Sequence, residues 1–225
     1  QLHDTKKYKS HIAAILNITE DHLDRHGTFE DYKNSKLKIA QNQDQDDFLI
    51  INHQDKILTE NKKKFNAKIY EFSTFSKVDR GLYLEDSHIK FVENGEVKDL
   101  LDIRELSIVG RHNIENAMVA ILSTYLFGLD FEDIIKNCKT FKAIAHRLEF
   151  VKTIKGVDFY NDSKATNVDS AIKAIDSFDK NIILIAGGYD KHIDYRPLFE
   201  ASKGKVKSMV LIGETFWHIF PQNTR

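Results

Sequence analysis

The chain has 225 residues, which is enough for one large domain or two modest ones. Its 33 lysine and arginine residues nearly balance its 34 aspartate and glutamate residues, so no overall basic charge favours nucleic acid. No apolar run approaches the roughly 20 residues that a membrane-spanning helix needs. The one cysteine, Cys138, cannot form an internal disulfide, and we interpret it as a buried structural residue. We therefore expect a cytoplasmic protein that binds neither nucleic acid nor a membrane.

Strand and helix patterns alternate over the first 72 residues. An apolar run with β-branched residues at 11–18 is typical of a strand that is covered on both faces. Thr28, followed three residues later by Asp31, predicts the start of a helix. The predicted elements are a strand at 11–18, a helix at 28–43, a strand at 48–51, a helix at 55–65 and a strand at 68–72. This alternation favours an α/β fold with a mostly parallel sheet and helices on both of its faces.

Residues 81–101 show a different pattern, in which apolar and polar residues alternate around the strong hairpin turn Asn94-Gly95. The pattern predicts a small antiparallel hairpin region of two or three strands. A clear amphipathic helix follows at 112–127. Asp130 is then placed to cap a second helix, which is predicted to end near residue 139.

A second α/β unit is predicted to begin near Ala143, so we divide the chain into domains at 1–143 and 144–225. The predicted elements are a strand pair at 148–154 and 157–160, a helix at 168–176, a buried strand at 182–186, a helix at 196–201 and a strand at 206–212. This order is typical of a partial Rossmann-like fold with right-handed crossovers.

Polar residues follow the first predicted strand, at the position where parallel sheets bind ligands. His22 in this cluster is either a metal or phosphate contact or a solvated loop histidine. Lys36 falls on the apolar stripe of the next helix, where lysine rarely lies without a partner. Either its stem snorkels toward water, or it is a modified or paired lysine near His22. As a carbamate, Lys36 would present two oxygens suited to magnesium.

The run Asn161-Asp162-Ser163-Lys164-Ala165-Thr166-Asn167 joins a predicted strand to a predicted helix. Backbone N–H groups at the helix start, the Lys164 ammonium and the Thr166 hydroxyl are suited to an anion. Asp162 is suited to ribose, water or a metal-linked phosphate. The alternative is an ordinary N-capped helix entry, and composition leaves both interpretations open.

Two further clusters are less specific. Gly187-Gly188-Tyr189-Asp190-Lys191 follows a predicted strand, and its glycines permit close backbone approach. Lys191 is suited to a carboxylate, although a plain turn explains the pattern equally well. Gly110-Arg111-His112-Asn113 precedes the amphipathic helix, where Asn113 as a cap needs no further function. Asn116 is less easily explained, because asparagine is a mediocre helix former.

Together these clusters resemble the Mur ligase family. Five motifs occur in the family's order and approximate spacing: Asn-Ile-Thr-Glu-Asp-His-Leu-Asp-Arg-His (17–26), Gly-Arg-His-Asn-Ile-Glu-Asn (110–116), His-Arg-Leu-Glu (146–149), Asn-Asp-Ser-Lys-Ala-Thr-Asn (161–167) and Gly-Gly-Tyr-Asp-Lys (187–191). The resemblance covers essentially the whole chain, and the run at 161–167 is similar to that of the D-glutamate-adding member. It implies an ATP-dependent ligase of peptidoglycan precursor synthesis that joins UDP-N-acetylmuramoyl-L-alanine to D-glutamate. We expect a monomer that acts on these small molecules.

The resemblance also implies a role for each matching residue. Lys36 matches the family's carbamylated lysine, which with His22 would hold Mg²⁺, and these two residues and Lys164 would be catalytic. The remaining matches are ATP contacts at Asn113, Asn116, Arg147 and Asp162, and D-glutamate contacts at Thr166 and Lys191.

The sequence departs from the family's pattern, since it contains no Gly-x-x-Gly-Lys-Ser/Thr phosphate loop. The far end of the family's C-terminal domain, which completes the D-glutamate pocket, is also expected to be missing. In the family this loop lies upstream of the position of Gln1, together with a magnesium-binding glutamate and a uridine-binding domain. We therefore expect part of a central ATP-binding domain at 1–143 and part of an amino-acid-binding domain at 144–225. The alternatives are another Mur-type or a folylpolyglutamate-type ligase, or an isolated chain that binds nucleotide without catalysis.

Overall fold

A computed structural model of the chain describes residues 2–19, 26–142, 144–189 and 194–214. The chain divides into two compact units. The first unit consists of Gln1–Ser107 with Asn113–Phe141, and the second consists of Ile108–His112 with Lys142–Arg225. Each unit is an α/β structure with its own strands and helices.

The first unit is built on a six-stranded sheet whose strands follow one another in chain order. The strands are β1 (Ile12–Ile15), β2 (Phe48–Asn52), β3 (Lys68–Ser73), β4 (Gly81–Glu85), β5 (His88–Glu93) and β6 (Glu96–Asp102). β1 to β4 run parallel, whereas β5 and β6 are antiparallel to their neighbours. The predicted parallel sheet and hairpin region are confirmed, and they form one sheet because β4 pairs with β3.

The described chain before residue 142 forms four α-helices, which are α1 (Phe29–Leu37), α2 (Lys56–Asn61), α3 (Arg111–Leu126) and α4 (Phe131–Thr140). A 3-10 turn follows α1 and another follows α2. Thr28 caps α1 as predicted, because its Oγ1 accepts a hydrogen bond from the Asp31 N–H at 3.1 Å. Asp130 occupies the N-cap position of α4, but its side chain makes no capping hydrogen bond.

Apolar side chains pack on both faces of the six-stranded sheet. Successive residues of a strand point to opposite faces, and Leu49, Ile50 and Ile51 of β2 are all fully buried. Ile50 belongs to a core cluster that contains Met118 of α3. Leu49 and Ile51 belong to another cluster, which contains Leu58 of α2. Helices on both faces therefore explain why this strand is a continuous apolar run.

The second unit contains two separate strand pairs. Its elements are β7 (Glu149–Ile154), β8 (Val157–Asn161), α5 (Val168–Asp176), β9 (Ile182–Gly188), α6 (Arg196–Ser202) and β10 (Val206–Gly213). β7 and β8 are antiparallel, and β9 and β10 are parallel. The prediction of a buried strand at 182–186 is wrong for one face, because the Ile183 and Ile185 side chains are 59% and 66% exposed. The described part of this unit covers only the face that carries Leu184 and Ala186.

Cys138 was expected to be a buried structural residue. Cys138 lies half-buried in α4 against the core, and this burial raises the pKa of its thiol, as suits a structural residue. Within the described ranges, the helices lack the combination of length and apolar character that a membrane span requires.

Candidate functional site

Lys36 stands in the last turn of α1, and its side chain reaches the chain just after the carboxyl end of β1. Its Nζ donates a hydrogen bond to the Asn17 carbonyl oxygen at 3.0 Å and lies 4.8 Å from the centre of the Tyr32 ring. The side chain is therefore half-buried and partnered, rather than simply extended into water. A carbamate at this nitrogen would keep one N–H, so the contact with Asn17 is compatible with the predicted modification. His22 lies outside the described residues.

Polar side chains at the ends of β2 and β3 make hydrogen bonds that sequence reasoning missed. Asn52, which ends β2, donates to the Leu16 carbonyl oxygen at 3.1 Å. Thr74, directly after β3, donates from Oγ1 to Glu115 Oε1 at 3.0 Å. Asn52 and Thr74 are both buried. The sequence could have indicated both residues, because Asn52 ends a strand of the parallel sheet and Thr74 directly follows one.

The contact between Thr74 and Glu115 ties the first turns of α3 to the end of β3. Glu115 lies between the two asparagines that the sequence predicted as ATP contacts. Asn113 is half-buried and Asn116 is exposed. Glu115 and the neighbouring asparagines therefore lie near the carboxyl end of β3 in the first unit.

In the second unit, the turn at 146–149 and the loop at 161–167 are joined by hydrogen bonds. Asp162 Oδ1 accepts from the Leu148 N–H at 2.9 Å. The His146 carbonyl oxygen accepts from the Lys164 N–H at 3.0 Å. These contacts bring the turn that carries Arg147 next to the loop that carries Asp162 and Lys164, which is 15 or more residues away in the sequence.

The charged groups of this region are suited to an anion. The Arg147 and Lys164 side chains are exposed, whereas Asp162 is half-buried with one oxygen engaged. The pKa of His112 lies below its ordinary value, first because burial disfavours the imidazolium and then because Lys173 and Arg147 repel it. Asp162 acts on that pKa in the opposite direction.

The start of α5 supports the capping interpretation of Asn167. Asn167 Oδ1 accepts from the Ser170 N–H at 2.8 Å, and the two residues form a capping box. This N–H is therefore already satisfied within the chain. Thr166, which precedes the cap, has an exposed side chain.

The glycines at the end of β9 allow close approach of two strands. Gly187 has φ of +137°, and a Cβ atom there would lie 1.9 Å from the Ile212 carbonyl oxygen of β10. No side chain fits in this position, which confirms the predicted close backbone approach. Tyr189 follows with a side chain that is 79% exposed. Lys191 lies outside the described residues.

Fold and site together define an α/β protein of two units, each with polar residues gathered at strand ends and loops. Residues 1–124 match the family described as "Mur ligase middle domain". Residues 146–223 match the family described as "Mur ligase, glutamate ligase domain". The chain belongs to the Mur ligase family.

Curated relatives extend this result. The chain is 44% identical over 215 residues to the UDP-N-acetylmuramoylalanine–D-glutamate ligase of Thermoanaerobacter sp. (strain X514), covering 96% of this chain and 47% of the relative. Identity to the ligase of the same name from Clostridioides difficile (strain 630) is 45% over 215 residues, covering 96% of this chain and 48% of the relative. The chain thus spans about half the length of these relatives.

A solved structure shows the shared fold. The MurF ligase from Thermotoga maritima in complex with ADP superposes with a TM-score of 0.62 at 15% identity, covering 96% of this chain and 55% of that chain.

Proposed function

We propose that the protein containing this chain is an ATP-dependent ligase that joins UDP-N-acetylmuramoyl-L-alanine to D-glutamate in peptidoglycan precursor synthesis. The observation that carries the proposal is the hydrogen-bonded turn and loop that bring Arg147, Asp162 and Lys164 together. The names of the relatives that share this sequence supply the substrate pair.

The reaction would proceed in two displacements. An oxygen of the alanyl carboxylate attacks the γ-phosphorus of ATP, which forms an acyl phosphate and releases ADP. The amine of D-glutamate then attacks the acyl carbon, the phosphate leaves with the bridging oxygen, and the nitrogen loses a proton. The Arg147 and Lys164 side chains are both exposed, and they stand on two segments that are joined by hydrogen bonds. They would offset the charge on the transferring phosphoryl group.

The first unit would supply the remaining ATP contacts. Asn113 and Asn116 stand at the start of α3, beside the polar ends of the parallel strands. The relative solved with ADP supports a nucleotide ligand for this fold. Mg²⁺ would be held by His22 and by a carbamate at Lys36, and it would neutralise phosphate charge. The contact of Lys36 with the Asn17 carbonyl is compatible with that modification.

The D-glutamate contacts are proposed at Thr166 and Lys191. A hydroxyl and an ammonium are suited to the carboxylates of an acidic amino acid. Thr166 lies on the same loop as Lys164, and its side chain is exposed. We also propose that the full-length protein is cytoplasmic and monomeric. Sedimentation of the purified protein tests whether it is a monomer.

The test of the proposed function is phosphate release from ATP by the full-length protein. Release should require both UDP-N-acetylmuramoyl-L-alanine and D-glutamate. Equal rates with L-lysine or meso-diaminopimelate would overturn the substrate assignment. A competition assay with folate substrates separates this activity from folylpolyglutamate-type ligation. The isolated 225 residues should not turn over ATP, because they contain no phosphate loop.

A further inference from the structure

The side-chain amide of Asn161 contacts both the turn at 146–149 and the loop at 161–167. Its Oδ1 accepts a hydrogen bond from the Ser163 N–H at 3.1 Å. Its Nδ2 lies 2.8 Å from His146 Nδ1. Because the oxygen is used by a backbone N–H, the nitrogen end of the amide faces the imidazole. An amide NH₂ group only donates, so His146 Nδ1 accepts and the ring proton lies on Nε2.

The backbone of the turn is held in an uncommon conformation by further contacts. His146 and Leu148 have φ of +66° and +43°, in the left-handed region that non-glycine residues seldom occupy. Glu149 Oε2 accepts from the His146 N–H at 2.7 Å. Such a conformation persists only where its surroundings fix it. The position of Arg147, which lies between the two left-handed residues, therefore depends on these contacts.

We propose that Asn161 is a positioning residue that holds His146 as its neutral Nε2–H tautomer and fixes the Arg147 turn beside the Lys164 loop. The two segments that carry the His146 Nε2–H, the Arg147 guanidinium and the Lys164 ammonium are then held together. These donors are suited to an anionic phosphoryl group. The phosphoryl ligand rests on the proposed function, whereas the tautomer rests on the contacts of Asn161 alone.

Nitrogen-15 NMR of the histidine rings tests the tautomer in the chain itself. The His146 signals are assigned by their loss in His146→Asn. At mildly alkaline pH, the unaltered chain should carry the proton on Nε2. Asn161→Asp keeps an acceptor for the Ser163 N–H but faces the ring with an oxygen, so it should move the proton to Nδ1. A proton on Nδ1 in the unaltered chain would overturn the proposal, and this result does not depend on the variant's folding.

Asn181→Asp is the matched control. Asn181 is exposed and also has a positive φ in the second unit, so this substitution adds the same charge away from the turn. It should leave the His146 tautomer and the ligase activity unaltered. A tautomer that responds equally to both substitutions would contradict a specific role for Asn161.

The catalytic consequence is measured in the full-length protein. Asn161→Asp should lower kcat by about 100-fold, because small misplacements of a charged group cost about that much. KM for ATP should change much less. Full activity in Asn161→Asp would overturn the positioning role. Absence of D-glutamate-dependent activity in the unaltered protein would instead overturn the proposed function, while the NMR signal would still decide the tautomer.

Discussion

The strands β2 and β9 have similar apolar sequences but different surroundings. β2 reads Phe-Leu-Ile-Ile-Asn and is buried on both faces, between core clusters that include α2 and α3. β9 reads Ile-Ile-Leu-Ile-Ala-Gly-Gly and exposes every second side chain. An apolar run therefore predicts a strand, but it does not predict how many of its faces are covered.

The two units also hold their candidate site residues differently. In the first unit, Lys36 stands in the last turn of α1, and Asn113 and Asn116 stand near the start of α3. Both helices pack against the core of this unit. In the second unit, they stand on a turn and a loop that are joined by side-chain and backbone hydrogen bonds. In the first unit, we expect substitutions to change stability through core packing, or activity through the one modified residue. In the second unit, we expect them to change activity through the local geometry of the turn and the loop.

The largest effect is expected at Lys36, the one site residue of the first unit that is held on α1. Lys36→Ala should lower the ligase activity of the full-length protein by a factor on the order of 1000, because it removes the proposed carbamate and its metal contact. Added short-chain carboxylates should restore part of that activity. Lys33→Ala is the control, because Lys33 lies on the same helix and pairs only with exposed Glu30 in the described contacts. Equal loss in both variants would contradict the assignment.

The strand comparison is tested by one substitution in each strand. Ile50→Ala in β2 should lower the free energy of unfolding by about 2–5 kcal/mol, since it leaves a cavity in a fully buried core. Ile185→Ala in β9 should change it by less than about 0.5 kcal/mol, because that side chain is largely exposed. Urea unfolding of the two variants measures both values. A large loss for Ile185→Ala would mean that its face is covered.

The cap of α5 is tested by Asn167→Ala, which should lower the free energy of unfolding by about 1 kcal/mol. The loss arises because the Ser170 N–H is left without its acceptor. Asn167→Ser is the matched control, since serine is also a good N-cap residue, and it should stay close to the unaltered chain. If both variants lose equally, Asn167 has a role other than capping.

The smallest effect is a pH dependence from His112. The pKa of His112 is lower in the folded chain than the ordinary 6.5, so the unfolded chain binds its proton more readily. The resulting stability is fully present above pH 6.5 and is lost as the pH falls from 6.5 toward the lower folded-state pKa. The urea midpoint measured above pH 6.5 and the midpoint measured well below it should differ less in His112→Gln than in the unaltered chain. An unchanged pH difference would show that His112 is not responsible.

Local patterns predicted the elements well. The helix at 168–176 has the predicted bounds, and Thr28 caps α1 as expected. These features depend on residues that are close in sequence. The pairing of β4 with β3 and the cover of β9 depend on distant parts of the chain, so local patterns did not contain them.

The candidate site could be predicted only in part, because its assembly also depends on contacts between distant parts of the chain. The residues of the loop at 161–167 were identified from the sequence, but their joining to His146 and Leu148 requires the folded second unit. Thr74 and Glu115 are 41 residues apart, and no local signal pairs them. For the run at 161–167, the sequence left a capped helix entry and an anion site equally open. The hydrogen bond between Asn167 and Ser170 shows the cap, and the anion site stays a prediction.

The most direct test of the central claim follows oxygen from the substrate carboxylate. The full-length protein is given ATP, D-glutamate and UDP-N-acetylmuramoyl-L-alanine with both carboxylate oxygens labelled with oxygen-18. If an acyl phosphate forms and the amine attacks its carbon, each phosphate released carries one labelled oxygen and the amide keeps the other. Unlabelled phosphate would mean that water attacks ATP directly, and it would contradict the proposed ligase reaction.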